Sequence, residues 1–301
     1  MTPFFSIVMP VRDVAAHVGE AIDSVVAQTR IDWELLVVDD GSTDGTREAV
    51  AARSAADWRI RMLTHPDGAS RGAAASRNLA IAEAHGVVVG FLDGDDLYEP
   101  DTLVSVGAIL TERPDLGVLY GATRWFWSDG SQPDYDEHLG VETERVHPPP
   151  SLARRILLGR EGDIPCTCAV FARRNLVRAV GGFEERFSLY EDQSLWVKLF
   201  TRHPVFVTAR TLARYRQHPA STSAKAVRAG DYDSRRPHRA ERAFFEWFAE
   251  AKDESGAGDA ALDRALRRRL RHYSHPLLAV IDARARRLLR RVKRLLPGSA
   301  P

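Results

Sequence analysis

Short apolar runs alternate with helix-period segments along the first 110 residues, which predicts a sheet whose strands are joined by crossover helices. Phe5–Met9 reads as a first strand, stopped by Pro10. Val14–Gln28 comes next as a helix, because Val18, Ile22, Val25 and Val26 recur on one face. Trp33–Val38 is a second strand that runs directly into the polar turn Asp39-Asp40-Gly41-Ser42-Thr43-Asp44-Gly45, with a helix from Thr46 to Ala55. Arg59–Leu63 is an edge strand and Gly72–His85 an Ala-rich helix. Val87–Leu92 is a continuous apolar strand of the kind buried on both faces of a parallel sheet.

The pattern changes after Pro100. Asp101–Glu112 reads as a helix, Asp96 as a helix N-cap or a ligand just ahead of it, and Leu116–Thr123 as a strand. Trp125-Phe126-Trp127 opens an aromatic stretch that reads chiefly as core, with stacking on a sugar as the lesser reading. Asp129–Pro150 is an irregular loop, Ser151–Leu158 a short helix and Cys168–Phe171 a strand. A helix containing Glu191-Asp192 runs to Phe200, a strand lies near Val205–Val207, and the chain from Asp231 onward is helical and highly charged. These shifts predict three parts: residues 1–112, 113–230 and 231–301.

With 301 residues, 44% hydrophobic and 28% charged, the chain has the composition of a soluble globular protein with a sizeable core. The longest apolar run, Ile164–Phe171, is too short to span a bilayer, and Met1–Met9 carries no basic leader, so a cytoplasmic location is expected. Cys166 and Cys168 are the only cysteines; one residue apart in a predicted strand, they would point to opposite faces as reduced thiols. The net charge of +1 hides an asymmetry: residues 264–294 hold twelve Lys/Arg and one acid, and the remainder 30 basic and 40 acidic residues.

Three predicted strands end in polar, specific segments: Pro10-Val11-Arg12-Asp13, Asp39-Asp40-Gly41-Ser42 and Asp93-Gly94-Asp95-Asp96. Ligands of open α/β sheets bind at such carboxyl ends. Neither GxGxxG nor GxxxxGK[ST] occurs, which argues against a dinucleotide dehydrogenase and a P-loop. Acids at a strand end suit a hard divalent cation bridging to diphosphate oxygens; a solvated turn is the plainer reading of any one Asp-x-Asp.

The ordered set Ser6-Ile7-Val8-Met9-Pro10, Val37-Val38-Asp39-Asp40-Gly41-Ser42-Thr43-Asp44, Ser76-Arg77-Asn78, Phe91-Leu92-Asp93-Gly94-Asp95-Asp96 and Glu191-Asp192 resembles the inverting glycosyltransferases of family 2, over residues 5–220. The resemblance implies a GT-A fold: a Rossmann-like nucleotide-binding sheet (residues 1–112) fused to a smaller acceptor-binding half, here with a helical tail after it. Pro10, Val11 and Asp13 would border the base, and Asp39 and Asp40 would accept hydrogen bonds from base or ribose. Arg71 and Arg77 would face base or diphosphate, or be ordinary solvated or salt-bridged arginines. Asp93, Gly94 and Asp95 form the DxD segment, Asp95 the direct ligand of Mn2+ or Mg2+ and Asp93 nearer the ribose. His218 would complete the metal site. Asp192 would be the general base, with Glu191 orienting it, and Gly181-Gly182-Phe183 the turn leading to them.

The activity implied by the resemblance is transfer of one sugar from a nucleotide-diphosphate sugar, UDP- or dTDP-linked, to a saccharide or lipid-linked saccharide acceptor in cell-surface polysaccharide or glycolipid synthesis. Arg12-Asp13 stands where many relatives have Tyr-Asn, which leaves the base open. No Gln-x-x-Arg-Trp segment occurs, against a processive synthase. A sugar-1-phosphate nucleotidylyltransferase and a non-catalytic nucleotide-sugar-binding module are the alternatives. Residues 264–294, with leucines interleaved among arginines, read as a peripheral contact with the inner membrane face, as a helix packed on the acidic body, or as a contact between copies. Nucleic acid is not an expected partner.

Overall fold

Period-2 alternation decides which side chains each strand buries. In the first strand Phe5, Ile7, Met9 and Val11 join one apolar cluster and Val8 the other; in the second, Leu35 and Val37 part from Leu36 and Val38 in the same way. Both strands are buried along their whole length, so every apolar residue contributes about 1.5–3 kcal/mol of transfer free energy. The structure is a computed structural model and describes residues 2–233, 237–254 and 259–274.

In chain order the elements are β1 (Phe5–Val11), α1 (Val18–Val26), β2 (Trp33–Asp39), α2 (Thr46–Ala56), β3 (Ile60–Thr64), α3 (Ala73–Glu83), β4 (Val88–Phe91), β5 (Leu97–Tyr98) and α4 (Thr102–Glu112). Then come β6 (Val118–Phe126), β7 (Tyr135–Asp136), β8 (Arg145–His147), β9 (Val170–Arg173), α5 (Arg174–Ala179), α6 (Glu191–Phe200), β10 (Val205–Arg216), α7 (Thr222–Ala229), α8 (Arg239–Glu254) and α9 (Ala260–Ser274). The strands form one mixed sheet in the order β3-β2-β1-β4-β9-β6-β10-β5, with β7 on β6 and β8 on β10. β2, β1 and β4 are parallel neighbours, so their carboxyl ends share one edge, and chain order reverses between β1 and β4. A ligand crevice belongs at that switch point.

Several elements depart from the sequence expectation. Residues 14–17 form a turn, Val14 O accepting from both His17 N and Val18 N, so α1 begins later than Val14. Cys166 and Cys168 are not in a strand: Ala169 N donates to Cys166 O, and a 3-10 turn over Thr167–Ala169 delivers the chain into β9. Asp96 caps no helix; it is 1% exposed, and β5 separates it from α4. The stretch 129–150 contains β7 and β8, and the segments near 205 and 215 are one bulged strand, β10.

The basic tail is also clarified where it is described. α9 buries Leu262 and Leu266 against the body, and Arg269 joins Arg160 and Tyr273 around the buried Glu241 of α8. The apolar face of residues 264–274 is therefore taken by the protein itself, and residues 275–294 lie outside the described residues. Among the described residues no helix is long and apolar enough to cross a membrane.

Candidate active site

The carboxyl ends of β1, β2 and β4 are tied together before any ligand is considered. Asp40 N donates to Val11 O (2.9 Å) and Leu92 N to Val8 O (3.0 Å). Gly94 lets the β4 turn press onto β1, because a Cβ there would sit 2.6 Å from Val11 Cγ1. No side chain fits without displacing the strand end.

Asp40 organises the floor of the crevice. Its carboxylate accepts from Arg71 N (2.6 Å), Gly72 N (3.0 Å) and Ser70 Oγ (2.7 Å), fixing the turn that opens α3. Arg12 donates to the same Ser70 hydroxyl at 2.7 Å. Asp39, fully buried, is instead paired with Arg47 at 2.7 Å and accepts from Ser42 N. Asp13 turns to Thr43 N (2.8 Å), and the Arg71 side chain pairs with Asp67 at 2.8 Å. Pro10, Val11, Asp40 and Arg71 line the crevice; Asp39 and Asp13 brace the loops behind it.

Arg77 is the hinge between the two acidic segments. Its side chain is 3% exposed, 2.5 Å from Asp93 and 3.4 Å from Glu191. Burial alone would favour the neutral form, but those carboxylates outweigh it and raise the guanidinium pKa. It also lies 5.3 Å from the Phe183 ring. The sequence offered a base- or diphosphate-facing arginine or a solvated or salt-bridged one; it is salt-bridged, and its burial between partners 16 and 114 positions away has no local sequence signal.

Asp95 points to the opposite side of the turn, where its Oδ2 lies 2.9 Å from His218 Nε2, and the His17 ring packs 4.9 Å from that of His218. Arg216, almost fully buried, fixes this arrangement. Its Nε donates to Asp95 O (2.8 Å), its Nη2 to Glu20 (2.6 Å), its Nη1 to Ser128, and its backbone N to Asp96 (2.9 Å). Burial, with Asp95 and Asp93 beside it, pushes the Asp96 carboxyl well up. Arg216 was not singled out in the sequence; only its place two residues before His218 hints at it.

Glu191 and Asp192 begin α6. Tyr190, just before them, adopts a left-handed φ of 72°, and its ring stacks on Phe244 of α8 while its hydroxyl meets His238 Nε2 at 3.0 Å. The approach is clamped by Asn78, which donates to Phe183 O (2.9 Å) and accepts from Phe183 N (2.8 Å). Gly182 has φ 64°, and a Cβ on it would meet Asn78 Oδ1 at 2.4 Å. Burial, then the neighbouring Glu191 charge, raises Asp192 to about 7; burial raises Glu191 too, opposed by Arg77.

Asp93, Gly94, Asp95, Glu191 and Asp192 all line one cavity of about 1840 Å³, together with Pro10, Asp40 and Arg77. Among the described residues no three His, Cys, Asp or Glu side chains converge as a self-sufficient metal cage. The paired Asp95 and His218 nevertheless fit Mg2+ or Mn2+, which take one or two protein ligands, substrate phosphates and water.

A sheet with its crevice at the switch point, acids at the β4 turn and a second acidic pair lining the same cavity defines a nucleotide-sugar transferase of GT-A architecture. The chain belongs to glycosyl transferase family 2, whose model matches residues 6–180. It is 32% identical over 212 residues to PGL/p-HBAD biosynthesis glycosyltransferases of Mycobacterium bovis and Mycobacterium tuberculosis, covering 68% of this chain and 73% of theirs. A chondroitin synthase of Pasteurella multocida is 33% identical over 129 residues, 43% of this chain and 13% of that one. In fold, the chain is similar to S. aureus TarS in complex with UDP-GlcNAc (TM-score 0.68, 20% identity, 90% of this chain and 73% of that one). It is also similar to a Pyrobaculum calidifontis mannosyltransferase in complex with GDP-Man and Mn2+ (TM-score 0.56, 17% identity, 99% and 89%). The chain is thus a glycosyltransferase, and the nucleotidylyltransferase alternative falls away.

Proposed function

We propose that this glycosyltransferase moves one sugar, with inversion, from a UDP- or dTDP-linked donor to a hydroxyl of a saccharide or lipid-linked saccharide. The observation that carries the reading is the shared cavity: Asp95, paired with His218, and Asp192, raised to about 7, both line it. Asp40 and the Arg71–Gly72 backbone frame the base and ribose end. Asp93, held by Arg77, faces the ribose and diphosphate. A divalent cation held by Asp95 and His218 would neutralise charge on the leaving diphosphate. Asp192 takes the proton from the acceptor hydroxyl as its oxygen attacks the anomeric carbon; the bond to the leaving diphosphate oxygen breaks on the opposite face. A carboxyl raised to near neutrality is a stronger base than an exposed one and is still ionised in part at pH 7. The mycobacterial glycolipid relatives and the Pasteurella chondroitin synthase support a cell-surface glycolipid or polysaccharide acceptor.

Asp192→Asn tests this reading. It is expected to abolish transfer while leaving UDP affinity in the presence of Mn2+ within about twofold; wild-type turnover would remove Asp192 from the mechanism. A membrane contact through 264–294 would use the exposed Arg264, Arg267, Arg268 and Arg271 of α9 or the residues after Ser274, and flotation on anionic vesicles with and without the latter tests their share.

A further inference from the structure

The strand register builds a second chemical surface inside the cavity. Trp125 of β6 is paired with Tyr135 of β7 on one side and Tyr215 of β10 on the other. Three aromatic residues from three adjacent strands therefore stand abreast. The Trp125 and Tyr135 rings stack at 5.5 Å with an 18° interplanar angle, and Tyr215 meets Trp125 edge-on at 4.9 Å. All three line the cavity, and Tyr135 is 48% exposed.

Two residues beyond Tyr135, and so on the same face, stands Glu137, bound by its backbone N to Thr123 O (2.8 Å). It is 6% exposed and lines the same cavity. Its Oε1 accepts from the Cys166 thiol at 3.6 Å; Thr123 lies close enough to favour the ionised carboxyl, yet no hydrogen bond of ordinary geometry reaches Oε2. That oxygen keeps capacity for a further partner, and the proposed mechanism does not use it. Burial raises Glu137 to about 8, so near neutrality it is chiefly a neutral acid, able both to donate and to accept. Burial also raises the neighbouring Cys166 thiol, and Asp192 lies close enough for its charge to add to that shift. Asp192 lines the same cavity, as do Asp95 and Asp96.

We infer that Trp125, Tyr135 and Glu137 form a pyranose shelf for the acceptor: the ring's apolar face lies on the aromatic pair and one of its hydroxyls meets Glu137 Oε2. An aromatic body with a convergent polar group is the chemistry that holds a sugar ring, whose C–H face is apolar and whose rim is hydroxylated. The inference rests on the proposed placement of Asp192 on the acceptor side. It makes the acceptor a glycoside, with an aglycone or lipid free to extend outward.

Saturation-transfer-difference NMR on the full chain tests it, with methyl glycosides of β-D-glucose, β-D-galactose, α-D-mannose and α-L-rhamnose as probes and UDP with Mn2+ present. At least one glycoside is expected to bind wild type and Asp192→Asn alike. Trp125→Ala and Tyr135→Ala should weaken that binding about tenfold, as should Glu137→Leu, while Glu137→Gln, which keeps a donor and an acceptor, stays within about threefold. Tyr135→Ala alters a half-exposed side chain, so it keeps the test open if the buried substitutions unfold the protein. Absence of binding by every glycoside, or equal binding by wild type and Tyr135→Ala, overturns the shelf. Loss of UDP affinity in Tyr135→Ala would assign the surface to the donor and overturn it too. Normal transfer by Asp192→Asn would strike the base assignment instead, and is read separately.

Discussion

Arg77 Nη1 lies 3.4 Å from Glu191 Oε1, a residue 114 positions further along the chain, and the same guanidinium is bound to Asp93. One cation thus spans the acids of the β4 turn and of the start of α6. Arg77→Met would leave the partly exposed Asp93 and Glu191 beside each other without compensation. Solvent at the two carboxylates reduces the penalty below the range of roughly 3–5 kcal/mol for a fully buried ion pair that loses one partner, to about 2–3 kcal/mol of stability. Urea unfolding measures it, and a loss under about 1 kcal/mol would show that the bridge is not needed for the fold.

Asp192 must be ionised to accept a proton. With its carboxyl raised to about 7, transfer should fall about tenfold per pH unit below that value and level off above it. A pH profile of kcat measures this; a flat profile between about pH 5 and 7 would contradict it.

The same shift has a stability sign. The unfolded carboxyl titrates near 3.8, so between about pH 4 and 7 the folded chain holds a proton that the unfolded chain has lost. That contribution is fully present below about pH 4 and is lost as pH rises through 7. Asp192→Asn, which never ionises, should therefore have a Tm above wild type at about pH 8, with the gap closing as pH falls toward 4. Equal Tm values at pH 8 would mean that the carboxylate is not strained by burial.

Asp95 and His218 are the residues proposed to hold the cation. His218→Ala and Asp95→Asn should each raise the Mn2+ concentration for half-maximal UDP binding about 10- to 100-fold. Titration by isothermal calorimetry decides it, and an unchanged Mn2+ dependence would move the metal elsewhere.

Gly94→Ala places a Cβ 2.6 Å from Val11 Cγ1. It should cost about 1–3 kcal/mol by overpacking and weaken UDP binding, and Val11→Ala in the same chain should recover much of both. Failure of the double variant to recover would show that the tightness lies elsewhere.

The donor half was legible in the sequence because its determinants are local. A strand that ends in Asp93-Gly94-Asp95 declares its acids within three residues, and the apolar runs give β1, β2 and β4 to within two residues, although β1 continues through Pro10, expected to stop it, to Val11. His218 was suggested by its order after Glu191-Asp192, and it does meet Asp95. The features that stayed hidden depend on contacts distant in sequence. Arg216 gathers Glu20, Asp95, Asp96 and Ser128, and no spacing rule joins those positions. Asp96 looked like a cap because a helix pattern lies nearby, yet burial and the Arg216 amide claimed it first. The Cys166–Cys168 stretch looked like a strand on composition, whereas the approach to β9 required a turn. Trp125 read as core, and only its pairing with Tyr135 and Tyr215 reveals that it borders the cavity.

The left-handed Tyr190, propped by Phe244 and His238, has a wider consequence. The residues proposed to hold the nucleotide all precede α8, but Tyr190, next to Glu191 and Asp192, leans on that late helix. The same helix sends Phe244, Phe245 and Phe248 into the apolar cluster that also holds Val8 and Leu36, so the aim of Asp192 and the integrity of the sheet's core depend on one late element.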